Sequence, residues 1–422
     1  MPPVAAVTLG VSMTAQTRQL PESGSVHADV ESRARWSDRG ALLANALVLA
    51  TLLFAALLHA SDPDLYYRAV QEDEGLEWAT FWSFLVAAGA FGVSAIWRGT
   101  VAGRPWFLLG VSLFCFFVAM EEVSWGQRLV GYRPPAYFLE HNFQQELNLH
   151  NVVATKYRKL ALAGVIGGYG VALPLLFVLP AGAGLLQRLG VAAPPLGLVP
   201  AFLVTLVAYL WYPWTHTGEW VEFMLGLGFL FAAMLRAEGS LSGMWPGSRR
   251  ARSPAVAVAL SGLAVLGLGL LTAALSRIQR WDRPETVAAA RAETEALRRD
   301  FAGGKLRSGC GLHKRLYTYA EKYRETELLQ GEFGALVAQG LPEARARYLL
   351  DPWNSPYWIR DSCSTARSRR SAFVYSFGPD RRRDSTAWEI RGDDIGTFIR
   401  LEGAAFGAAP GQPEEAETDD PR

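Results

Sequence analysis

The sequence predicts an α-helical multi-pass membrane bundle of about seven spans, followed by a small α+β domain. Three observations predict it: a series of long apolar runs without charge, an uneven distribution of Lys and Arg between the loops, and a change to turn and strand chemistry near the C-terminus. Across 422 residues, 50% are hydrophobic and 19% charged, and the mean hydropathy of +0.11 averages two unlike parts. Lys and Arg number 41 against 40 Asp and Glu. That balance excludes a basic nucleic-acid binder and a strongly acidic disordered chain.

Runs free of Asp, Glu, Lys and Arg occupy 41–60, 78–97, 105–120, 160–180, 189–215 and 255–275, and 219–236 is apolar apart from Glu219, Glu222 and Arg236. About 20 apolar residues cross the hydrocarbon core as a helix. The fifth run is read as a span over roughly 196–214, and the short third as extending into Glu121. Residues 1–39 are read as a flexible cytoplasmic leader and 41–60 as an uncleaved signal-anchor. The bundle occupies 40–236, a basic loop 237–254, and the seventh span 255–276. No internal repeat and no matching halves appear, which disfavours an inverted-repeat transporter.

Arg18, Arg33, Arg35, Arg39, Arg98, Arg104, Arg188, Arg236, Arg249, Arg250 and Arg252 fall on one side of this topology. The bias places the N-terminus in the cytoplasm. The loop 121–159 runs against it, with Arg128, Arg133, Lys156, Arg158 and Lys159. An odd number of spans exports everything after Ser276. Tyr66, Tyr67, Trp78, Trp125, Tyr212 and Trp214 fit an aromatic belt at the outer interface. The expected location is a bacterial inner membrane, with the lipid bilayer as the first partner and no nucleic acid.

Polar residues collect in three segments at the outer end: Glu121 to Arg128, Glu140 to Asn151 and Thr215 to Glu222. Were 140–153 helical, Asn142, Glu146 and His150 would share a stripe. His216, Glu219 and Glu222 would be neighbours at i, i+3, i+6 on the next helix. In one reading His150, His216 and Glu219, with Glu121, Glu122 or Glu146, bind Zn2+ for hydrolysis of a lipid-like substrate. In a second, Glu121, Glu122, Glu146 and Glu222 form a metal-free acid/base or relay site. In a third these side chains are interfacial, capping helix ends and pairing with Arg.

Glu121-Glu122-x-Ser124-Trp125-Gly126-Gln127-Arg128, followed by Asn142, Gln144 or Gln145, Glu146, Asn148, His150 and Asn151, resembles the motif of a bacterial multi-pass membrane family with no assigned activity. The resemblance covers about 40–236.

Beyond the seventh span, Pro284 opens a helix-prone stretch to Phe301, ended by Gly303-Gly304. A second helical region is expected over 312–349, interrupted at Gly331, Gly340 and Pro342. Turn and strand residues follow: Asp351-Pro352-Trp353-Asn354-Ser355-Pro356-Tyr357, Tyr375-Ser376-Phe377-Gly378-Pro379-Asp380, and Asp393-Asp394-Ile395-Gly396. These three ordered segments resemble the C-terminal domain of the type II secretion major pseudopilin. The resemblance covers about 284–400 of a domain read as 284–405, and implies a long helix on a small antiparallel sheet, facing the periplasm. It also implies a Ca2+ loop with Asp380, Asp384, Asp393 and Asp394 as candidate ligands, although Arg381-Arg382-Arg383 opposes a cation there. The chain departs from the family in having Asn354-Ser355 for Gly-Asn in the turn. It also has no Gly-Phe processing site before the span and no Glu inside it.

Residues 406–422 form an acidic tail. Cys310 and Cys363 share the exported domain and are candidates for a disulfide. The leading expectation is an envelope protein with an outward-facing His/Glu site, whose pilin-like domain binds a partner or substrate. Alternatives are an intramembrane metal-dependent hydrolase and a type II secretion-associated component, with envelope or secretion proteins as partners.

Overall fold

A computed structural model describes residues 23–102, 105–142, 144–241, 253–278, 283–301, 313–323, 331–363, 370–385 and 389–400. Cys310 lies outside them, as does the side chain of Cys363, and with them the disulfide expectation.

Helices α1 (Ser23–Ser61), α2 (Gly75–Ala102), α3 (Trp106–Glu122), α4 (Thr155–Gly167), α5 (Val199–Trp211), α6 (Thr217–Leu241) and α7 (Pro254–Ile278) follow the apolar runs. Among the described residues, five helices are long and apolar enough to cross a membrane: Arg39–Ser61, Gly75–Ile96, Thr155–Val178, Thr217–Arg236 and Pro254–Ser276. The third and fifth runs give shorter helices, α3 with 17 residues and an apolar segment Leu196–Trp211. Helix α1 begins at Ser23, inside the segment expected as a flexible leader. A formed helix nucleus makes such extension cheap for Ala-, Glu- and Arg-containing text.

Helix α6 is central, with 72% of its most apolar window buried, against 22% for α1 and α7. Its Phe229 stacks on Tyr169 at 4.6 Å and meets Phe202 edge-on. The outside of the bundle is apolar: Leu53, Leu57, Leu160, Leu263 and Leu270 are all exposed. This inverts the pattern of a water-soluble helix bundle and suits a lipid surround. Helix α4 continues through a π turn, Gly168–Ala172, into Leu173–Val178. Pro174 lacks an N–H and would press on the carbonyl four residues earlier, and the π turn relieves this. Two glycines allow close approach: a Cβ on Gly170 would lie 2.1 Å from the Phe202 ring, and one on Gly269 would lie 2.8 Å from Ala79 N.

At one end, Asn45 Nδ2 donates to Gly197 O at 2.8 Å and Trp106 Nε1 to Leu189 O at 2.9 Å. At the other end, Tyr66 Oη donates to Thr215 O at 2.9 Å, and the Leu149 N–H donates to Glu121 Oε2 at 2.6 Å. The seven helical segments therefore run alternately up and down. The loops 61–77, 121–154 and 212–216 gather at the second end. Tyr66 and Trp78, expected in a lipid-facing belt, are 2% and 3% exposed and pack inside the protein. Tyr66 stacks on Trp220, so these rings close the bundle end from within.

The C-terminal domain sets α8 (Pro284–Phe301) on an antiparallel sheet of β1 (His313–Arg315), β2 (Trp358–Cys363), β3 (Arg370–Ser376) and β4 (Ile395–Arg400), in that order. Strand alternation turns Ala372 and Val374 toward Leu297 and Phe301 of α8, and leaves Phe373 and Tyr375 on the opposite face. Among the described residues of 312–349, the expected interrupted helical region holds three short helices, with Gly340 at φ +110° between two of them, and departs from the expectation in opening with strand β1. In the 351–357 turn, Asp351 Oδ1 accepts from the N–H groups of Trp353 and Ser355 at 2.9 and 2.8 Å. Asn354 stands at φ +63°, a left-handed conformation that Asn tolerates.

Candidate functional site

The polar motif folds as one knot at the second end of the bundle, where the loops 61–77 and 212–216 also lie. Ser124, Trp125 and Gly126 have successive positive φ values of 46°, 54° and 79°. Such a turn is costly for residues with a Cβ and persists only if its surroundings hold it. Here the Trp125 indole donates to Glu121 Oε1 at 2.7 Å, and the Ser124 hydroxyl donates to Glu146 Oε2 at 2.6 Å. Glu121 Oε2 also accepts the N–H groups of Leu149 and His150, at 2.6 and 3.0 Å. Gln127 Oε1 accepts the Leu147 N–H at 2.6 Å, and Asn142 Nδ2 donates to Asn148 Oδ1 at 2.7 Å.

The expected helix over 140–153 is therefore absent. A short helix ends at His141, and 142–154 is a loop stitched to the Glu121–Gln127 turn by side chains. Asn and Gln amides compete with helical hydrogen bonding by offering the backbone local partners. The stripe of Asn142, Glu146 and His150 does not form. Helix α6 starts at Thr217, so His216 precedes it at φ +58°, and only Glu219 and Glu222 share a helix face.

Beside the knot lies a narrow cavity of about 60 Å3. Its carboxylates are Glu72, Glu77, Glu122, Glu146, Glu219 and Glu222, and its cations are Arg158 and Lys159, with His150 at the edge. The Lys159 ammonium lies 5.6 Å from the centre of the Tyr212 ring, also in the wall. Two of the five basic residues that run against the Lys/Arg topology count, Arg158 and Lys159, thus belong to an acidic cavity. Glu72 and Glu77 were missed as site residues. The acidic character of 61–77 was visible, but nothing in it pointed to a distant partner.

The C-terminal domain docks on the same end. Arg382, 6% exposed, donates to Ser276 Oγ at 2.6 Å, to Glu74 Oε1 at 3.2 Å and to the carbonyl of Asp73. Arg383 donates to the Tyr67 hydroxyl, with its guanidinium 4.6 Å from that ring's centre. Asn354 Nδ2 donates to Gly131 O at 3.0 Å, Tyr348 Oη to Glu140 Oε1 at 2.8 Å, and Arg315 Nη1 to Asn142 O at 3.1 Å. Leu139 packs with Tyr348 and Leu350.

Among the described residues, one group of three potential ligands has its donor atoms within 4.8 Å of one another: Asp380, Asp384 and Asp393. Burial, with Asp393 and Asp384 adding repulsion, pushes the Asp380 carboxyl up to about 7. Three carboxylate oxygens suit Ca2+. Asp394 is not in the group. Its Oδ2 accepts the N–H groups of Asp384 and Ser385 at 3.1 and 2.7 Å, and burial lifts its carboxyl to about 8. Asp394 therefore shapes the loop. The Arg run expected to repel a cation is directed elsewhere: Arg382 and Arg383 grip 67–74, and Arg381 lies against Gly131.

His150, His216 and Glu219 do not form such a group. His150 Nδ1 is 3.4 Å from Glu121 Oε2, while the His216 ring packs against Tyr67 at 5.6 Å. Of the acid/base candidates, Glu121 is occupied by the knot, and Glu122, Glu146 and Glu222 line the cavity. Comparison with protein-family models, curated proteins and solved structures returns no match to the chain.

Proposed function

We propose that the chain is a bacterial inner-membrane envelope protein that binds a small cation in an outward-facing acidic cavity, with its periplasmic, pseudopilin-like domain as the cover. The alternating helix directions and the Lys/Arg bias support seven spans and a cytoplasmic N-terminus. The 17 residues of α3 reach about 26 Å at 1.5 Å each, close to the hydrocarbon thickness of about 30 Å. One observation carries the functional reading: Arg382 and Arg383 hold the loop whose Glu72, with Glu77 in the first turn of α2, forms one wall of the cavity. Carboxylates outnumber cations in the lining, so a ligand of positive charge fits. The volume of about 60 Å3 accommodates an inorganic cation or a primary ammonium.

Calorimetric titration of ethanolamine, and separately of sodium, into the full-length protein at low salt tests this. Saturable binding of one of them, weakened tenfold or more by Glu219→Gln with Glu222→Gln, is expected. Saturation by neither overturns the reading. The zinc-hydrolase alternative needs His150, His216 and Glu219 on one metal, and the separate surroundings of the two histidines favour binding without it.

A second reading, a secretion-associated component, is favoured by the helix-on-sheet domain carrying the 351–357 turn and the Asp380, Asp384 and Asp393 group. Those three carboxylates would hold the calcium, which would fix the 378–394 loop. Copurification with secretion-apparatus proteins tests it, and a chain that purifies without them argues against it.

A further inference from the structure

His313 on β1 lies inside the C-terminal domain, directly behind the docking residue Arg383. Its ring is stacked on Trp358 of β2 at 4.4 Å, and its Nε2 is 2.8 Å from the Tyr375 hydroxyl on β3. Arg383 approaches from the 378–394 loop, with Nη1 at 3.2 Å from His313 Nδ1. The same Nη1 is 3.4 Å from Nε2; a guanidinium can only donate, so a ring nitrogen facing it must accept and carry no proton. The imidazole is thereby fixed as neutral. The same Arg383 donates to Tyr67 and covers its ring, which makes it the link between His313 and the membrane bundle.

We infer that His313 is an acid-sensitive latch: protonating its second ring nitrogen removes the acceptor for Arg383 and releases the domain from the 66–77 loop. The charges around it favour this direction. Arg360 of β2 faces it together with Arg383, so a charged imidazole would be a third cation in the group. Burial and these two arginines hold the imidazole well below its usual range. Tyr375 and Trp358 are uncharged. The anions within reach, Asp394 on the loop and Glu72 on the membrane side, act on Arg383 and Tyr375 from further away. His216 contacts Tyr67 from the bundle side at 5.6 Å and is the competing histidine. Release would loosen the wall of the cavity that carries Glu72, so acid would open the site. That consequence rests on the function proposed above; the latch does not.

The sign follows from linkage. A histidine whose proton affinity is depressed when docked and ordinary, near 6.5, when released makes docking weaken as pH falls through about 6.5. Between pH 7.5 and 5.5 the docking equilibrium should fall about tenfold.

Hydrogen exchange of the full-length protein in detergent, corrected for the intrinsic rate at each pH, reads this at the amides of 66–72 and 381–385. A tenfold loss of protection in wild type is expected, with a flat profile for His313→Gln and the wild-type profile for His216→Gln. A flat wild-type profile overturns the latch, as does an unchanged slope in His313→Gln or a flattening by His216→Gln. Should His313→Gln not fold, Arg383→Gln serves. It removes the charge conflict, so weaker docking with a reduced slope is expected, and an undiminished slope overturns the inference. Cation binding by the cavity is measured separately, so loss of one result leaves the other standing.

Discussion

Arg382→Ala should undock the C-terminal domain while leaving both halves folded. The side chain is 6% exposed and meets three partners across the contact: Glu74 Oε1 at 3.2 Å, Ser276 Oγ at 2.6 Å and the Asp73 carbonyl. Truncating one member of a buried charge pair costs about 3–5 kcal/mol, because the other is left desolvated. The Glu74 side chain is 22% exposed and recovers some hydration, so the lower end, about 3 kcal/mol, applies. At 1.36 kcal/mol per decade this is about 150-fold in the docking equilibrium. Protease protection of the 66–77 and 378–385 segments in the full-length protein is the assay. Arg391→Ala is the control: its pair with Glu389, at 2.7 Å, is exposed on both sides and should contribute under about 1 kcal/mol. Equal protection in Arg382→Ala and wild type would refute the view that this arginine fastens the domain.

The remaining expectations concern the two ends of the docking contact. Asp351 is fully buried, and burial lifts its carboxyl to about 6 from 3.8. An acid raised on folding stabilises the fold below its unfolded value and loses that stability as pH rises between about 4 and 6. Asp351→Asn keeps an acceptor for Trp353 and Ser355, so it should melt near wild type and lack this pH dependence. Asp351→Ala should lose about 3 kcal/mol or more. Melting curves between pH 4 and 7 check both. Gly126→Ala meets no atom within 4 Å, so its cost is only that of φ +79° with a Cβ, about 1–2 kcal/mol; thermal melting in detergent reads it. Calcium at about 1 mM should raise the melting temperature of the wild-type protein and leave Asp384→Asn unmoved, if the loop carboxylates act together.

The apolar helices were readable because a lipid-facing or core-facing helix must be nearly free of charge over its length, and that pattern is local. Helix α8 was readable for a similar reason, with Pro284 opening an Ala- and Glu-rich stretch that runs to Phe301. The loop 142–154 was not. Its spacing allows a helical stripe, but Asn142, Glu146 and Asn148 bond to each other and to Ser124. That outcome depends on a partner more than 20 positions away. The cavity was half visible for the same reason. Glu122, Glu146, Glu219 and Glu222 stood in the three polar segments. Glu72 and Glu77 joined them only through the packing of the 66–77 loop.

The motif that looks most like chemistry is mostly architecture. Glu121 spends one oxygen on the Trp125 indole and the other on two backbone N–H groups, and Ser124 and Asn148 both turn to Glu146. These bonds hold three residues of positive φ, and a carboxylate with three donors is poorly placed to move protons. The chemistry available at this face lies instead in side chains around the knot, Glu77, Glu122, Glu219 and Glu222 from the helices and Glu72 from the loop. The Arg run shows the same exchange of roles. In isolation Arg381-Arg382-Arg383 argues against a cation beside Asp380. In the fold, two of its guanidiniums reach across to the bundle, which leaves the aspartates together and ties their loop to the cavity wall. A cation at either site would therefore be felt at the other through 378–385, since that segment holds carboxylates on one side and the docking arginines on the other.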